Sequence, residues 1–186
     1  MSKICGEKKK EGGCLFLLDS LGVGGSERKT IVVANVLAKR GWSIHLAFLN
    51  TSHDLRESLA SKISTLDLGR KRKIDLRSVD SLKQYIGNNG IHTGWSVNLY
   101  PMLYAFLATR KLRSAVHLIG SSNVSLFRNR YERVKMLVYL PIISRLDRFI
   151  FGSKNQMDDW MSRYNLAGSK YSVIYNGVDL SRFRIN

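Results

Sequence analysis

The residues best placed to do chemistry lie in a glycine-rich turn near the start of the chain. The stretch LFLLDSLGVGGSERKTIVVANVLAKRG, residues 15–41, combines an apolar run of strand length, the turn and an amphipathic helix pattern. Backbone N–H groups at the start of such a helix favour phosphate groups, and Gly24 and Gly25 allow a close approach. The pattern predicts either a phosphate-facing loop or a plain sharp turn with Ser26 as the N-cap.

Two familiar phosphate-binding loops do not fit this turn. The dinucleotide pattern G-x-G-x-x-G begins at Gly22, but Glu27 occupies its third glycine position, and Asn50 stands where a ribose-binding acid is needed. The nucleoside-triphosphate pattern G-x-x-x-x-G-K-[ST] requires glycine where Arg28 precedes Lys29. Neither NAD nor a bound nucleoside triphosphate is therefore predicted.

The charge balance is the strongest compositional signal. The 186 residues include 30 Lys and Arg against 14 Asp and Glu, a net charge of +16, which favours an anionic partner. Two cysteines make no disulfide framework, and neither a signal peptide nor a membrane span is visible, so a cytoplasmic location is predicted. The four histidines are scattered, and neither a metal nor another cofactor is predicted.

Strands and helices alternate along the chain. Apolar strand patterns occupy residues 14–20, 43–50, 63–69, 114–122, 147–153 and 171–177, with a weaker one in NGIHTGWS, and helix patterns lie between them. One long helix, 128–145, is expected to break at Pro141. This alternation predicts an α/β fold: a Rossmann-like, doubly wound, mainly parallel sheet with helices on both faces. Ligands of such sheets bind at the carboxyl ends of the strands.

Four segments, in this order and spacing, resemble enzymes of glycosyltransferase family 4. The segment GVGGSERKTIVVANVLAKRGWSIHLAFLN is similar to the family's opening, which has a GGxE turn, and SKYSVIYNGVDLSRF (169–183) is similar to its interdomain segment. VHLIGSSNV (116–124) and RFIFGSKNQMDDWM (148–161) fall where the family has its fifth and sixth strands. The resemblance covers residues 15–183.

The resemblance implies one half of a GT-B architecture, in which two Rossmann-like domains face each other across a cleft. The N-terminal domain receives the acceptor, and the C-terminal domain holds the nucleotide-sugar donor and an E-x7-E motif that this sequence lacks. We accordingly expect a basic flexible N-terminus (1–13), an N-terminal domain (14–175) and the start of the interdomain hinge (176–186). Without a donor-binding domain or a separate donor-binding subunit, the chain is expected to be inactive.

By the same resemblance, the chain takes part in retaining transfer of a sugar to a lipid-linked or polysaccharide acceptor. Gly24 and Gly25 would face the donor diphosphate, and no catalytic residue is assigned to this chain. The loops TGWSVN and GSSN are expected to follow the fourth and fifth strands and to form the acceptor pocket with residues after the sixth strand. The predicted acceptor-binding residues are Ser26, Thr93, Gly94, Trp95, Asn98, Ser121, Ser122, Asn123 and Ser153, and the hinge residues are Asn176 and Gly177.

The positive charge also concentrates in one apolar region. Residues 110–148 hold nine Lys or Arg and two acidic residues, interspersed with large apolar residues. The mixture favours peripheral docking on the anionic inner face of the cell membrane through Arg128, Arg130, Arg133 and Lys135, rather than an ordinary solvated helix. GRKRK (69–73) either extends this surface or is a plain charged loop. The alternative function, a basic module for nucleic acid or another polyanion, is less favoured because no nucleic-acid motif accompanies the charge.

Overall fold

The computed structural model describes residues 12–52, 54–112, 115–122 and 130–177, and within helix 130–143 it leaves the side chains at 130–133 and 135 undescribed. Seven strands and five α-helices alternate through these residues. In chain order they are β1 (Gly13–Leu18), α1 (Gly25–Lys39), β2 (Ile44–Phe48), β3 (Ser64–Asp67), α2 (Leu76–Asn88), β4 (Ile91–Val97), α3 (Leu99–Thr109), β5 (His117–Ser122), α4 (Arg130–Ile143), β6 (Arg148–Phe151), α5 (Lys154–Tyr164) and β7 (Tyr171–Val173).

The seven strands form one sheet in the order β3-β2-β1-β4-β5-β6-β7, and every neighbouring pair is parallel. β1 lies where the order reverses, with Phe16 opposite Leu46 of β2 and Trp95 of β4. The predicted Rossmann-like, doubly wound fold is therefore confirmed. The gap between the loops that follow β1 and β4 is the place where such sheets bind ligands.

Two apolar cores cover the two faces of the sheet. Successive residues of β1 point to opposite faces, so Leu15 and Leu17 join one core while Phe16 and Leu18 join the other. The first core receives side chains from α2, α3, α4 and α5, and the second receives those of α1. Connections between parallel strands are right-handed, so helices lie on opposite faces of the sheet when the chain crosses it in opposite directions. The chain runs one way from β1 to β3 and the other way from β4 to β7, which explains the division.

The loop placement of two segments is wrong. The predicted loop at 93–98 is mostly strand, because Thr93, Gly94 and Trp95 lie inside β4 and pair with β1 and β5 on either side. Glycine and serine weaken the strand signal locally, but pairing with two neighbours overrides that preference. The fifth strand ends at Ser122, as its pattern at 114–122 predicts, so Ser121 and Ser122 of GSSN are the last two residues of β5 and do not follow it.

α4 does not break at Pro141, because its backbone continues to Ile143. Pro141 lies close to the C-terminal end of α4, with only two helical residues after it. Its missing N–H therefore removes one helical hydrogen bond without ending the helix at that point. The Pro141 carbonyl accepts hydrogen bonds from Ser144 Oγ (2.9 Å) and Arg145 Nη1 (2.9 Å), which satisfies the helix end. Among the described residues, no helix is long and apolar enough to cross a bilayer.

Candidate functional site

A cleft of about 460 Å³ opens at the carboxyl ends of β1 and β6. Three segments meet there: the turn into α1, the turn from β6 into α5, and the residues after β7. Its lining is polar or basic and consists of Gly25, Ser26, Lys29, Gly152, Ser153, Gln156 and Asn176. It is the place in this fold where a phosphate-bearing ligand is expected.

The N-terminus of α1 presents backbone donors without a side-chain cap. The N-cap is Gly24, in an extended conformation, and within the described residues no side-chain cap hydrogen bond is made there. The expectation that Ser26 would be the N-cap is wrong, since Ser26 is the second residue of the helix and its carbonyl accepts the Thr30 hydroxyl (2.7 Å). The uncapped first turn therefore leaves backbone N–H groups at Gly25 and Ser26 that can donate to an anion, next to the Glu27 carboxylate.

The two glycines of the turn differ in their surroundings. A Cβ atom on Gly24 would collide with the Glu27 carboxylate, which folds back over the start of its own helix. A Cβ atom on Gly25 would meet nothing within 4 Å, and Gly25 lines the cleft. Gly24 thus makes room for Glu27, whose charge is favourable near a helix N-terminus, while Gly25 leaves the backbone open to a ligand.

Gly25→Ala is expected to retain the fold and lose ligand affinity. The added methyl group has free space, but because Gly25 lines the cleft it would hinder the close approach of a ligand to the backbone there. We expect the affinity for UDP to fall about tenfold, which corresponds to one displaced backbone contact, with the urea unfolding midpoint unchanged. Titration with UDP followed by amide chemical shifts, together with urea denaturation, measures the two quantities; equal UDP affinity in both proteins would exclude Gly25 from the site.

Gly24→Ala, in contrast, is expected to lower the stability of the fold. Its methyl group displaces the Glu27 carboxylate and replaces a favourable N-cap residue, so the free energy of unfolding should fall by about 1 kcal/mol. The loss should shrink in a Glu27→Ala background, because no carboxylate remains to be displaced. Urea denaturation of the four proteins in this cycle tests the contact, and strictly additive losses would contradict it.

Among the described residues that line the cleft, Lys29 alone is basic, and its role was missed in the sequence. Its side chain is half-buried and also lines a small cavity of about 20 Å³ beside Trp95 and Ser121. Burial lowers the pKa of the Lys29 ammonium below its usual value, and within the described parts of the chain no carboxylate pairs with it. A partly desolvated cation of this kind is stabilised by a bound anion.

The β6–α5 turn forms the opposite wall and is fixed by Gln156. Its Oε1 accepts the Gly152 N–H (2.9 Å), and its Nε2 donates to the Ser122 carbonyl at the end of β5 (2.9 Å). Ser153 caps α5 by accepting the Gln156 N–H at 3.2 Å. Gln156 thus ties the turn to the neighbouring strand and holds this wall in place, a role that only the three-dimensional contact reveals.

The structure brings together some of the predicted site residues and separates others. Gly25, Ser26, Ser153 and Asn176 share the cleft, with exposed Gly177 next to Asn176. Asn98, with a positive φ of 72°, is the N-cap of α3, and its N–H donates to the Ser121 carbonyl at the end of β5 (2.8 Å).

The predicted acceptor residues inside strands make structural contacts. Trp95 packs on Phe16 at a ring separation of 5.5 Å and donates from Nε1 to Ser121 Oγ (3.0 Å). Ser122 is buried, and Gly94 leaves space for Leu118, which a Cβ atom would approach to 3.1 Å. The prediction that these residues lie on an open acceptor loop is wrong, because each belongs to β4 or β5. Asn123 and Arg128 lie outside the described residues.

No group of three or more His, Cys, Asp or Glu side chains among the described residues is arranged to hold a metal ion. The chemistry that the cleft can offer is hydrogen bonding from backbone and amide groups together with one ammonium charge. Such a set can bind and stabilise a phosphate-bearing group.

The same fold occurs in solved GT-B glycosyltransferases. Anabaena Alr3699/HepE in complex with UDP-glucose has a TM-score of 0.72 and 16% identity over 91% of this chain. The lipopolysaccharide outer core galactosyltransferase WaaB gives 0.67 and 16% over 90%, and sucrose-phosphate synthase from Thermosynechococcus elongatus gives 0.70 and 13% over 93%. The match takes up 45%, 46% and 50% of those chains, so this chain spans about half of their length. No curated protein sequence matches it.

The fold and the cleft define a domain of the GT-B glycosyltransferase class. The family model for Glycosyltransferase Family 4 matches residues 23–182, which is most of the sequence. The chain belongs to glycosyltransferase family 4.

Proposed function

We propose that this chain is the N-terminal, acceptor-side domain of a retaining glycosyltransferase that uses a nucleotide-sugar donor. The observation that carries the proposal is the cleft at the carboxyl ends of β1 and β6, where uncapped N–H groups of α1 meet Lys29. Family membership gives the reaction class, and the backbone donors and Lys29 of the cleft support the diphosphate as the part of the donor that this domain would contact.

The chemical contribution of the cleft is stabilisation of the leaving group. When the sugar–phosphate bond breaks, negative charge develops on the nucleoside diphosphate. Fixed N–H groups at Gly25 and Ser26, with the Lys29 ammonium beside them, would oppose that charge more strongly in the transition state than in the ground state. This stabilisation requires no metal ion and no proton transfer by this chain.

The proposal requires a second, donor-binding domain, either in a longer chain or in a separate subunit. The relatives in which the fold recurs are about twice as long as this chain, and one of them is described with bound UDP-glucose. We propose that residues 176–186 lead into the interdomain hinge. Asn176 lines the cleft and Gly177 is exposed next to it, which agrees with a connection at the edge of the site.

The proposed acceptor is a lipid-linked glycan or a polysaccharide at the inner membrane face. WaaB, which shares the fold, is a lipopolysaccharide outer core galactosyltransferase. On α4, Val134, Leu137 and Val138 are each at least 60% exposed at a spacing of three to four residues, which gives the helix an apolar outer face. Arg130, Arg133 and Lys135 belong to the same helix, so basic and apolar residues share it.

Reconstitution tests the proposal. The chain is co-expressed with the donor-binding domain of a family 4 enzyme and supplied with UDP-glucose and a membrane lipid extract, and labelled sugar in the lipid fraction is counted. We expect transfer by the pair, no transfer by either domain alone, and a lower turnover number with Gly25→Ala. Transfer by the pair that is insensitive to both Gly25→Ala and Lys29→Met would contradict the assigned role of the cleft.

A further inference from the structure

We propose that residues 69–77 form a second anion-binding surface that docks on anionic lipid, separate from the apolar face of α4. This basic loop surface consists of the connection from β3 to α2 and the first turn of α2. It borders a depression of about 540 Å³. The inference rests on the proposed function in one respect: both assume that the enzyme acts at a membrane.

The surface carries five basic residues and one acidic residue in nine positions, namely Arg70, Lys71, Arg72, Lys73 and Arg77 against Asp75. Lys71, Arg72, Lys73 and Arg77 are exposed, and in the described parts of the chain none of them pairs with a carboxylate. The positive charge at this point is therefore not neutralised by the protein itself, and it favours an anionic partner.

The single carboxylate of the surface is used to shape the loop. Asp75 caps α2: its Oδ1 accepts the Arg77 N–H (3.1 Å), and its Oδ2 accepts the Lys71 N–H (3.2 Å). These backbone hydrogen bonds, that of Lys71 first, hold the pKa of Asp75 below its usual value. Asp75 therefore stays ionised and bound to the backbone, and the basic side chains extend outwards.

Two large apolar side chains stand among these cations. Ile74 is 58% exposed and Leu76 is 69% exposed, whereas Ser78, Val79 and other inward-facing residues of α2 are buried. Exposed aliphatic side chains surrounded by lysine and arginine are typical of surfaces that insert into the headgroup region of a bilayer, with the cations among the lipid phosphates. No aromatic residue occurs among residues 69–77, so the stacking platform of a nucleic-acid site is missing.

The loop is held in this conformation by contacts from behind. Arg70 donates to Asn50 Oδ1 from Nε (3.2 Å) and Nη2 (2.9 Å), donates to Tyr100 Oη from Nη1 (2.6 Å), and lies 4.5 Å from the centre of the Tyr100 ring. Tyr104 Oη accepts the Asp75 N–H at 2.9 Å and donates to the Lys73 carbonyl at 3.2 Å. Because the backbone is fixed before contact, little ordering is needed when the surface meets a partner.

The position of the surface suits a membrane-bound acceptor. β3 is the edge strand of the sheet, and the loop follows its carboxyl end, which is the same end of the sheet as the cleft lined by Gly25 and Lys29. Docking here would bring the reactive edge of the sheet to the lipid surface, where a lipid-linked acceptor is held.

Vesicle flotation tests the assignment. Wild-type chain is mixed with vesicles of phosphatidylcholine alone or with phosphatidylglycerol, at salt concentrations from about 50 to about 300 mM, over which screening increases. We expect salt-sensitive binding to the phosphatidylglycerol vesicles alone. Arg72→Gln/Lys73→Gln should weaken it about 25-fold, since each cation near the surface contributes about fivefold. Lys39→Gln/Arg40→Gln is the matched control, because both residues are exposed at the far end of α1 and the charge change is equal.

A second readout locates the contact. In a Cys5→Ser background, Leu76→Cys carries an environment-sensitive fluorophore; Cys14 is buried, and burial raises the pKa of its thiol to about 11, so it resists labelling. We expect a blue shift on anionic vesicles. No shift at position 76, or vesicle binding unchanged by Arg72→Gln/Lys73→Gln and by Ile74→Ser/Leu76→Ser, would overturn the inference.

Two other results would also overturn it in favour of a different partner or surface. Loss of vesicle binding only in Val134→Ser/Leu137→Ser would assign docking to α4 and leave the membrane location intact. Binding of single-stranded RNA more tightly than vesicles would assign a nucleic-acid partner. UDP binding at Gly25, measured on the same proteins, reports separately on the proposed function, so the failure of one does not conceal the failure of the other.

Discussion

Replacing Lys29 with methionine is expected to weaken the binding of UDP by about 10- to 100-fold, the range that corresponds to losing one hydrogen bond to a charged group. The ammonium lies in the cleft lining, is partly desolvated, and has no carboxylate partner in the described structure. Methionine retains most of the length and the apolar stem of lysine. Titration of the ¹⁵N-labelled proteins with UDP at constant ionic strength, followed by amide chemical shifts, gives the affinity ratio or its lower bound.

The control variant must distinguish the loss of a local contact at Lys29 from the loss of one unit of the net charge of +16. Lys39→Met changes the charge equally, but Lys39 is exposed in the last turn of α1, away from the cleft lining. UDP affinity should be nearly unchanged in this variant. A similar loss in both variants would show that UDP binds through the overall positive field of the protein and that Lys29 makes no specific contact.

Trp160→Ala is expected to have the largest effect on stability, a loss of about 3–5 kcal/mol in the free energy of unfolding. Trp160 is completely buried under the β6–β7 end of the sheet, where its ring lies 5.6 Å from those of Phe149 and Phe151 and 5.8 Å from that of Tyr164. Removing the indole leaves a cavity beneath the α5 wall of the cleft. Urea denaturation followed by far-UV circular dichroism measures the loss.

Trp160→Phe serves as the graded comparison, because it retains an aromatic ring and leaves a smaller cavity. Its loss should fall clearly below that of Trp160→Ala, while Val36→Ala, at an exposed position of α1, should change stability little. Losses of equal size for Trp160→Phe and Trp160→Ala would indicate that ring packing does not determine stability at this position.

The features that the sequence predicted correctly depend on local patterns. The turn into α1 and the stop at Gly41, whose φ is +82°, follow from residue types that strongly restrict the backbone. The alternation of strands and helices was sufficient for the doubly wound sheet, because crossover handedness and burial leave few other arrangements. Resemblance to family 4 rested on segments at both ends of the domain, and the family match over residues 23–182 confirms it.

The features that were missed depend on contacts between distant residues. β4 was predicted only as a weak strand in NGIHTGWS followed by a loop, because Thr93, Gly94 and Ser96 are weak local strand signals, yet β1 and β5 enclose it on both sides. Gln156 closes the cleft wall through Ser122, 34 residues away, and no local pattern indicates that contact. Thr93, Gly94 and Trp95 were placed in a loop for the same reason.

The most direct measurement of the central claim is a titration of the ¹⁵N-labelled chain with UDP, followed by amide chemical shifts. With only one wall of a two-domain site present, we expect a dissociation constant on the order of millimolar. We predict that the amides of Gly25, Ser26 and Gly152 shift together along one binding curve, with uridine producing none of these shifts because it lacks the diphosphate. Shifts confined to the basic loop surface and α4, or the same Gly25 response to uridine, would contradict the assignment of this cleft to the donor diphosphate.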